Sequence, residues 1–230
     1  MPGSPMGRTA LFVDFDNTVT IGDVLDAVIE RYSVTERWRS WESAWKRGDL
    51  STPQCLSLQI GDLRVDADEL IHFVSDTPID ACFPEIVDLC RDKGIPLFIV
   101  SDNFSVIVRA ILKRHWLGGV KFFANELLFD GNKPSARFPH ADPRCKRCAH
   151  CKAVHFAGFA SHRKIYVGDG LSDICPAEAA DLVFAKDALA DHLARAGIPF
   201  MPFTGFGDVL PYLETDLPRP EVEASTGRIA

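Results

Sequence analysis

Three short apolar runs, far apart in a chain of 230 residues, each break off into a cluster of carboxylates, hydroxyls and amides. Thr9-Ala10-Leu11-Phe12-Val13 leads into Asp14-Phe15-Asp16-Asn17-Thr18. Gly94 to Val100 leads into Ser101-Asp102-Asn103, and Ile165-Tyr166-Val167-Gly168 leads into Asp169-Gly170-Leu171-Ser172-Asp173. Runs this short and unbroken by charge predict strands buried on both faces, the pattern of a parallel sheet. In open α/β sheets ligands bind beyond the carboxyl ends of the strands, so the clusters point to one shared polar site. Asp14 and Asp16 have the same facing on an extended chain, and their mutual repulsion is relieved by a divalent cation that can also bridge to a phosphate oxygen. Ser101 and the helix expected to start after it offer a hydroxyl and free N–H groups to an anion. Each cluster alone also admits a plainer reading, in which Asp and Thr simply cap a helix start.

Helical patterns alternate with the strands, which implies a doubly wound parallel sheet. Stripes at Phe83-Ile86-Val87-Cys90 and Val106-Ile107-Ala110-Ile111 predict helices, as do Cys148 to Phe159, Ala177 to Ala180 and Asp187 to Ala196. Further strands are expected at Val120 to Phe123, Leu182-Val183-Phe184 and Ile198-Pro199-Phe200, with a hairpin arm at Asn125 to Asp130. One connection is too long for a simple crossover. From 22 to 82 the chain reads as four helices, 23–32, 35–46, 53–61 and 66–75, forming a small cap over the strand ends. Trp38, Trp41 and Trp45 share one face of the second; packing within the cap accounts for such a stripe, and substrate stacking is the alternative. The expected division is therefore a core of 1–21 and 83–215, a cap of 22–82, and a loose tail of 216–230 without apolar periodicity.

A hydrophobic content of 47% suits a packed core, and a net charge of −7 without a basic block argues against nucleic acid and anionic membrane surfaces as partners. No apolar stretch approaches the roughly 20 residues of a membrane span. The first residues lack the regions of a signal peptide, so the expected location is the cytoplasm. A homodimer is compatible with the sequence, which does not fix the oligomeric state.

Seven cysteines, an odd number, do not suggest a disulfide framework. Cys55, Cys82, Cys90 and Cys175 fall in apolar surroundings and read as buried thiols. Cys145, Cys148 and Cys151 form C-x-x-C-x-x-C beside His140, His150 and His155, a set that could hold a structural zinc with three thiolates and one imidazole. The alternative is a cysteine-rich loop that only shapes the surroundings of Lys152.

The segments Asp14-Phe15-Asp16-Asn17-Thr18, Ser101, Lys152 and Gly168 to Asp173, in that order, resemble the four motifs of the haloacid dehalogenase (HAD) superfamily, and the resemblance spans nearly the whole chain. Within it the chain is most similar to small-cap phosphatases of the phosphoserine phosphatase type. Asp14 to Thr20 with Asp23, Pro139-His140, Cys151-Lys152 and Phe184 to Asp187 resemble the 2-hydroxy-3-keto-5-methylthiopentenyl-1-phosphate phosphatases. Tyr166 to Gly170 with Asp173, Cys175 and Pro176 is similar to phosphoethanolamine/phosphocholine phosphatases. The resemblance implies a Rossmann-like core with a C1-type cap, magnesium, and hydrolysis of a small-molecule phosphomonoester through an aspartyl-phosphate on Asp14. It implies Asp16 as general acid and base, Ser101 and Lys152 as phosphoryl-binding residues, and Asp14, Asp16, Asp169 and Asp173 around the metal. Thr18, Asp23, Asn103 and Gly170 are expected to meet substrate.

Lys133 and Lys164 are the other candidate lysines; Lys133 precedes Pro134 in an expected surface turn, and Lys164 lies at the far end of its strand. Asp23 serves equally as an N-cap ahead of Val24. A phospho-acceptor signalling domain or a catalytically silent phosphate-binding module uses similar residues, and sustained phosphate release separates an enzyme from both.

Overall fold

The computed structural model describes residues 8–142, 145 and 148–215. The expected tail of 216–230 and the first seven residues lie outside them. Strand β1 (Thr9–Val13) is followed by helices α1 (Val24–Tyr32), α2 (Trp38–Lys46), α3 (Thr52–Gly61) and α4 (Ala67–Ser75), then α5 (Phe83–Asp92). The chain continues through β2 (Leu97–Phe104), α6 (Ser105–Arg114), β3 (Lys121–Asp130) and β4 (Lys133–Arg137). A 3₁₀ segment (Lys152–Phe159), β5 (Arg163–Gly168), a single 3₁₀ turn (Leu171–Asp173), α7 (Ile174–Ala179), β6 (Leu182–Ala185), α8 (Asp187–Ala196), β7 (Met201–Pro202) and α9 (Phe206–Thr215) complete it.

The strands form one seven-stranded sheet in the order β4-β3-β2-β1-β5-β6-β7. Every pairing is parallel except the β3–β4 hairpin. β1 lies at the centre, with Phe12 opposite Phe98 on one side and Tyr166 on the other. Its side chains alternate between two apolar clusters: Leu11 and Val13 pack with α1, α5 and α6, whereas Ala10 and Phe12 pack with Phe156, α7 and α8. Burial on both faces explains why β1 is an unbroken apolar run.

Helices α1 to α4 leave the sheet and return to it at one narrow neck. Thr20 bridges Ile79, the Ile21 N–H donates to the Pro78 carbonyl at 2.9 Å, and that of Asp80 donates to Val19 at 2.9 Å. The starts of these helices follow capping chemistry: Asp23, Ser51 and Asp66 accept from N–H groups in the first turns of α1, α3 and α4, and Ser51 with Gln54 completes a capping box.

Four sequence expectations need correction. β2 runs through Ser101 to Phe104, with an irregularity between Val100 and Phe104, so α6 starts later than expected. The helix expected from Cys148 is a 3₁₀ segment from Lys152. The last strand is Met201–Pro202 rather than Ile198 to Phe200. Lys133, expected in a turn, opens β4 and stays exposed. Helix α9 was not signalled, because Pro211 interrupts its apolar stripe of Phe206, Val209 and Leu213. Phe206 nonetheless packs on Phe83 at 4.9 Å, and Lys93 donates to the Leu213 and Glu214 carbonyls at 2.8 and 2.7 Å, neutralising the end of the helix.

Candidate active site

The three polar clusters meet at the carboxyl ends of β1, β2 and β5. The N–H of Asp14 donates to the Val167 carbonyl at 2.9 Å, which locks the ends of β1 and β5 side by side. Carboxylate oxygens of Asp14, Asp169 and Asp173 all lie within 4.8 Å of one another. Lys152 reaches this group from the 3₁₀ segment, its Nζ donating to Asp14 Oδ1 and Asp173 Oδ1 at 2.6 Å each and to Ser172 Oγ at 3.1 Å. Its side chain is 1% exposed. Burial alone lowers the lysine pKa, but Asp14 and Asp173 overcome that and hold it well above its ordinary value, which favours the ammonium.

Asp173 is a fixed strut. Its Oδ1 accepts from Lys152 and from the Tyr166 hydroxyl at 2.6 Å, and its Oδ2 accepts from the N–H groups of Asp169 and Gly170 at 3.0 Å each. Four donors occupy both oxygens, so the carboxylate orients the lysine and the Asp169 backbone and has no lone pair free for a cation. Gly168 makes this possible: a Cβ there would stand 2.5 Å from Asp173 Oδ2 and 2.9 Å from the Tyr166 ring.

Asp169 is held by Asn17 Nδ2 at 2.8 Å and Thr18 Oγ1 at 3.2 Å, and Asn17 also donates to Asp187 at 3.1 Å. Asn17 sits in the left-handed region at φ 52°, a conformation Asn tolerates better than most residues. Thr18 is thus placed to position a carboxylate. Burial and the neighbouring Asp173 raise the Asp169 pKa; burial, Asp173 and Asp169 raise that of Asp14, against the pull of Lys152.

Asp16 follows Asp14 by two residues and lines the same cavity. Its carboxylate accepts from Asn103 Nδ2 at 2.9 and 3.0 Å and from the Val24 N–H at 3.0 Å. Burial and the nearby Asp23 nevertheless push its pKa up to about 7. Asn103 therefore meets Asp16, and its own Oδ1 accepts from the Phe104 N–H. Ser101 is fully buried, its Oγ accepting from the Asn103 N–H at 2.9 Å. Asp23 caps α1 through Asp26 N–H at 2.8 Å and also lines the cavity, where burial and Asp26 raise its pKa to about 6.

Asp14, Asp16, Asp23, Asn103, Lys152 and Asp169 line a cavity of about 220 Å³ whose far wall comes from α1, α2 and α3, including Leu25, Asp26, Ile29, Glu42, Trp45 and Leu56. Of the tryptophan stripe, Trp38 is buried in the core, Trp41 packs beside it, and Trp45 faces the cavity while donating to Thr52 Oγ1 at 2.9 Å. Gly170 lines the floor. Lys133 is exposed and Lys164 pairs with Asp181 at 2.8 Å at the start of β5, so neither rival lysine reaches the site.

Two contributors lay hidden in the sequence. Tyr166 is a strand residue of the apolar run, and only the fold shows its hydroxyl on Asp173. Asp102 accepts from the His150 N–H at 2.6 Å through Oδ1, while its Oδ2 is buried without a partner among the described residues and its pKa rises to about 6 through burial. That bond anchors the loop before Lys152, as does the Cys151 N–H donating to the His140 carbonyl at 2.9 Å. Behind the loop, His140, His150 and His155 cluster, with His155 stacked on Phe123 at 3.8 Å and the Nε2 atoms of His150 and His155 2.6 Å apart. Burial keeps both rings neutral, with pKa values lowered to about 2 and about 4.

The comparisons agree with this geometry. A family model described as putative phosphatase matches residues 9–190. A 2-hydroxy-3-keto-5-methylthiopentenyl-1-phosphate phosphatase of Brevibacillus brevis is 30% identical over 221 residues, covering 90% of this chain and 96% of the relative. The enzyme of that name from Geobacillus thermodenitrificans is 30% identical over 219 residues, with the same coverage of both chains. A substrate-bound phosphoserine phosphatase superposes with a TM-score of 0.68 at 18% identity, covering 89% of this chain and 98% of the other. A HAD-family hydrolase of Salmonella enterica serovar Typhi superposes with 0.73 at 17% identity, covering 93% and 75%. The chain belongs to this putative phosphatase family, and it shares its fold with phosphoserine phosphatases and a HAD-family hydrolase.

Proposed function

We propose that the chain is a magnesium-dependent phosphomonoesterase that works through an aspartyl-phosphate on Asp14, with 22–82 acting as a cap over a core of 1–21 and 83–215. The observation that carries the reading is the charge balance at the strand ends. Among the described residues, Asp14, Asp169 and Asp173 bring three carboxylates against the ammonium of Lys152, an excess of two negative charges that a divalent cation matches. Asp14 and Asp169, with the backbone carbonyl of Asp16, are the residues that would hold magnesium; the bound ion supplies charge neutralisation for the phosphoryl oxygens.

The chain's own groups then divide the chemistry. A carboxylate oxygen of Asp14 attacks phosphorus while the ester P–O bond breaks, and the Asp16 carboxyl gives its proton to the leaving alkoxide. Asp16, now ionised, takes a proton from a water that attacks the same phosphorus, and the bond to Asp14 breaks to release inorganic phosphate. A pKa near 7 suits both halves of that task. Lys152, held on Asp14 Oδ1, stabilises charge on the phosphoryl oxygens in both steps. Ser101 and Asn103 fix the strand end that carries Asp16's partner.

The substrate follows from the wall opposite. Asp23, Asp26 and Glu42 face the cavity beside Leu25, Ile29 and Leu56, although Glu42 also pairs with Lys46 at 2.5 Å. A second anion on the substrate is repelled there, while an ammonium or hydroxyl finds acceptors. The test is a panel of small monoesters with magnesium, including the methylthio-enol phosphate that the relatives' names specify. Sustained, magnesium-dependent phosphate release is expected, with phosphoethanolamine turned over faster than phosphoglycolate, its near-isostere of opposite charge. Release that stops at one phosphate per chain would instead favour a phospho-acceptor domain.

The raised carboxylate pKa values set a stability profile. Asp16 and Asp23 bind protons in the folded state that the unfolded chain releases near pH 4, so their contribution to stability is present below that pH and is lost as pH rises through about 6 and about 7. The melting temperature of the metal-free protein is expected to fall between pH 5 and pH 8. Magnesium is expected to restore more of it at pH 8 than at pH 5, because protons compete for Asp14 and Asp169. Equal magnesium stabilisation at the two pH values would count against these ligands.

A further inference from the structure

Cys145, Cys148 and Cys175 stand at the corners of a nearly equilateral triangle. Their sulfurs are 3.6 Å (Cys145–Cys148), 3.9 Å (Cys148–Cys175) and 4.0 Å (Cys145–Cys175) apart. A disulfide requires about 2.0 Å, so these are not bonded sulfurs. A tetrahedral centre with metal–sulfur bonds of about 2.3 Å places its sulfurs about 3.8 Å apart, in the middle of the observed range. Thiol hydrogen bonds are weak and explain little of a three-way convergence from two distant parts of the chain.

The membership differs from the sequence expectation. Cys151, the third cysteine of C-x-x-C-x-x-C, lies outside the triangle, and Cys175 takes its place from the first turn of α7. The ligands are then a C-x-x-C pair on one loop and a cysteine 27 residues further on, two separated elements of the kind that structural zinc sites join. Cys148 is buried, whereas Cys145 and Cys175 are half-buried.

We propose that Cys145, Cys148 and Cys175 bind a soft divalent cation, zinc foremost, as three thiolates with a fourth ligand from solvent. Each thiol gives its proton to solvent as the metal enters. The position gives the metal a structural task. Cys145 and Cys148 precede Lys152, and Cys175 follows Asp173 by two residues, so one ion ties the lysine loop to the loop that receives the lysine. Cys148 already approaches that second loop through the Ser172 carbonyl at 3.8 Å. The nearby imidazoles of His140, His150 and His155 are a weaker seat, because the Nε2 atoms of His150 and His155 already pair with one another at 2.6 Å.

The test is metal analysis of the full chain purified without an immobilised-metal step. About one zinc per chain is expected. Cys145→Ser and Cys175→Ser are expected to lose it, while Cys151→Ser and Cys90→Ser keep it. Cobalt substitution of the unmutated chain keeps the proposal testable if a serine variant fails to fold: thiolate ligation gives an intense near-ultraviolet charge-transfer band, and imidazole ligation does not. Chelation is expected to speed amide exchange in residues 148–159 and 171–179 while leaving β1 and β5 protected. Absence of both bound zinc and the cobalt band overturns the proposal, as does retention of zinc in Cys175→Ser or its loss only from His150 and His155 variants. Metal is counted without substrate, so this result and the phosphatase result can fail separately.

Discussion

Asp14→Asn is expected to lower phosphate release from every substrate by at least about 1,000-fold, because the amide is a far poorer nucleophile for phosphorus and no neighbouring group is placed to substitute for it. The companion measurement is acid-quenched trapping of the phosphorylated chain, present in the natural protein and absent from the variant. The fold should survive. Asp14 is crowded by Asp169 and Asp173, and burial already raises its pKa, so removing its charge relieves repulsion. Asparagine keeps an oxygen for Lys152 Nζ. The melting temperature without magnesium is therefore expected to hold or rise, whereas the gain from adding magnesium shrinks. Activity that survives Asp14→Asn would remove the aspartyl-phosphate route; activity lost together with the fold would not, which is why both readings are needed.

The strand ends were legible because a buried parallel strand leaves a sharp mark, an apolar run with no alternation, and because the residues after it must be polar to do anything at a sheet's edge. Asp14, Asp16, Asp169 and the approach of Lys152 follow from that mark together with the ordered motifs. What the sequence hides is pairing across distance. Nothing local tells that Asn17 and Thr18 hold Asp169, that Tyr166 turns its hydroxyl to Asp173, or that Asp102 anchors the loop of His150. Each of these residues has a sufficient local explanation as a turn, a cap or a strand member. Cys175 is the same case, an apparently buried thiol until the fold brings it to Cys145 and Cys148. Helix α9 was missed for a different reason: a proline within it outweighs a weak stripe, although Phe206 and Lys93 secure both of its ends from α5 and the residue that follows it.

Lys152→Met tests the other half of the site and carries the largest expected cost to stability. The lysine is the cation in a buried group with Asp14 and Asp173, so its removal leaves two neighbouring carboxylates without their counter-charge. Breaking a buried pair in this way costs about 3–5 kcal/mol. In a protein of this size that corresponds to a fall in melting temperature of about 10 °C. Turnover is expected to fall by about 100- to 1,000-fold through the loss of a preorganised donor to the phosphoryl oxygens. The two effects have different origins and can be separated. Adding Asp173→Asn to Lys152→Met removes one of the stranded charges, so stability is expected to recover in part while turnover stays low. Lys164→Met removes a partly buried pair with Asp181 at the start of β5, away from the site, and should leave turnover nearly unchanged, with at most a modest cost to stability. If the double variant regains activity along with stability, Lys152 acts only by holding the loops together, and its role in stabilising phosphoryl charge is refuted.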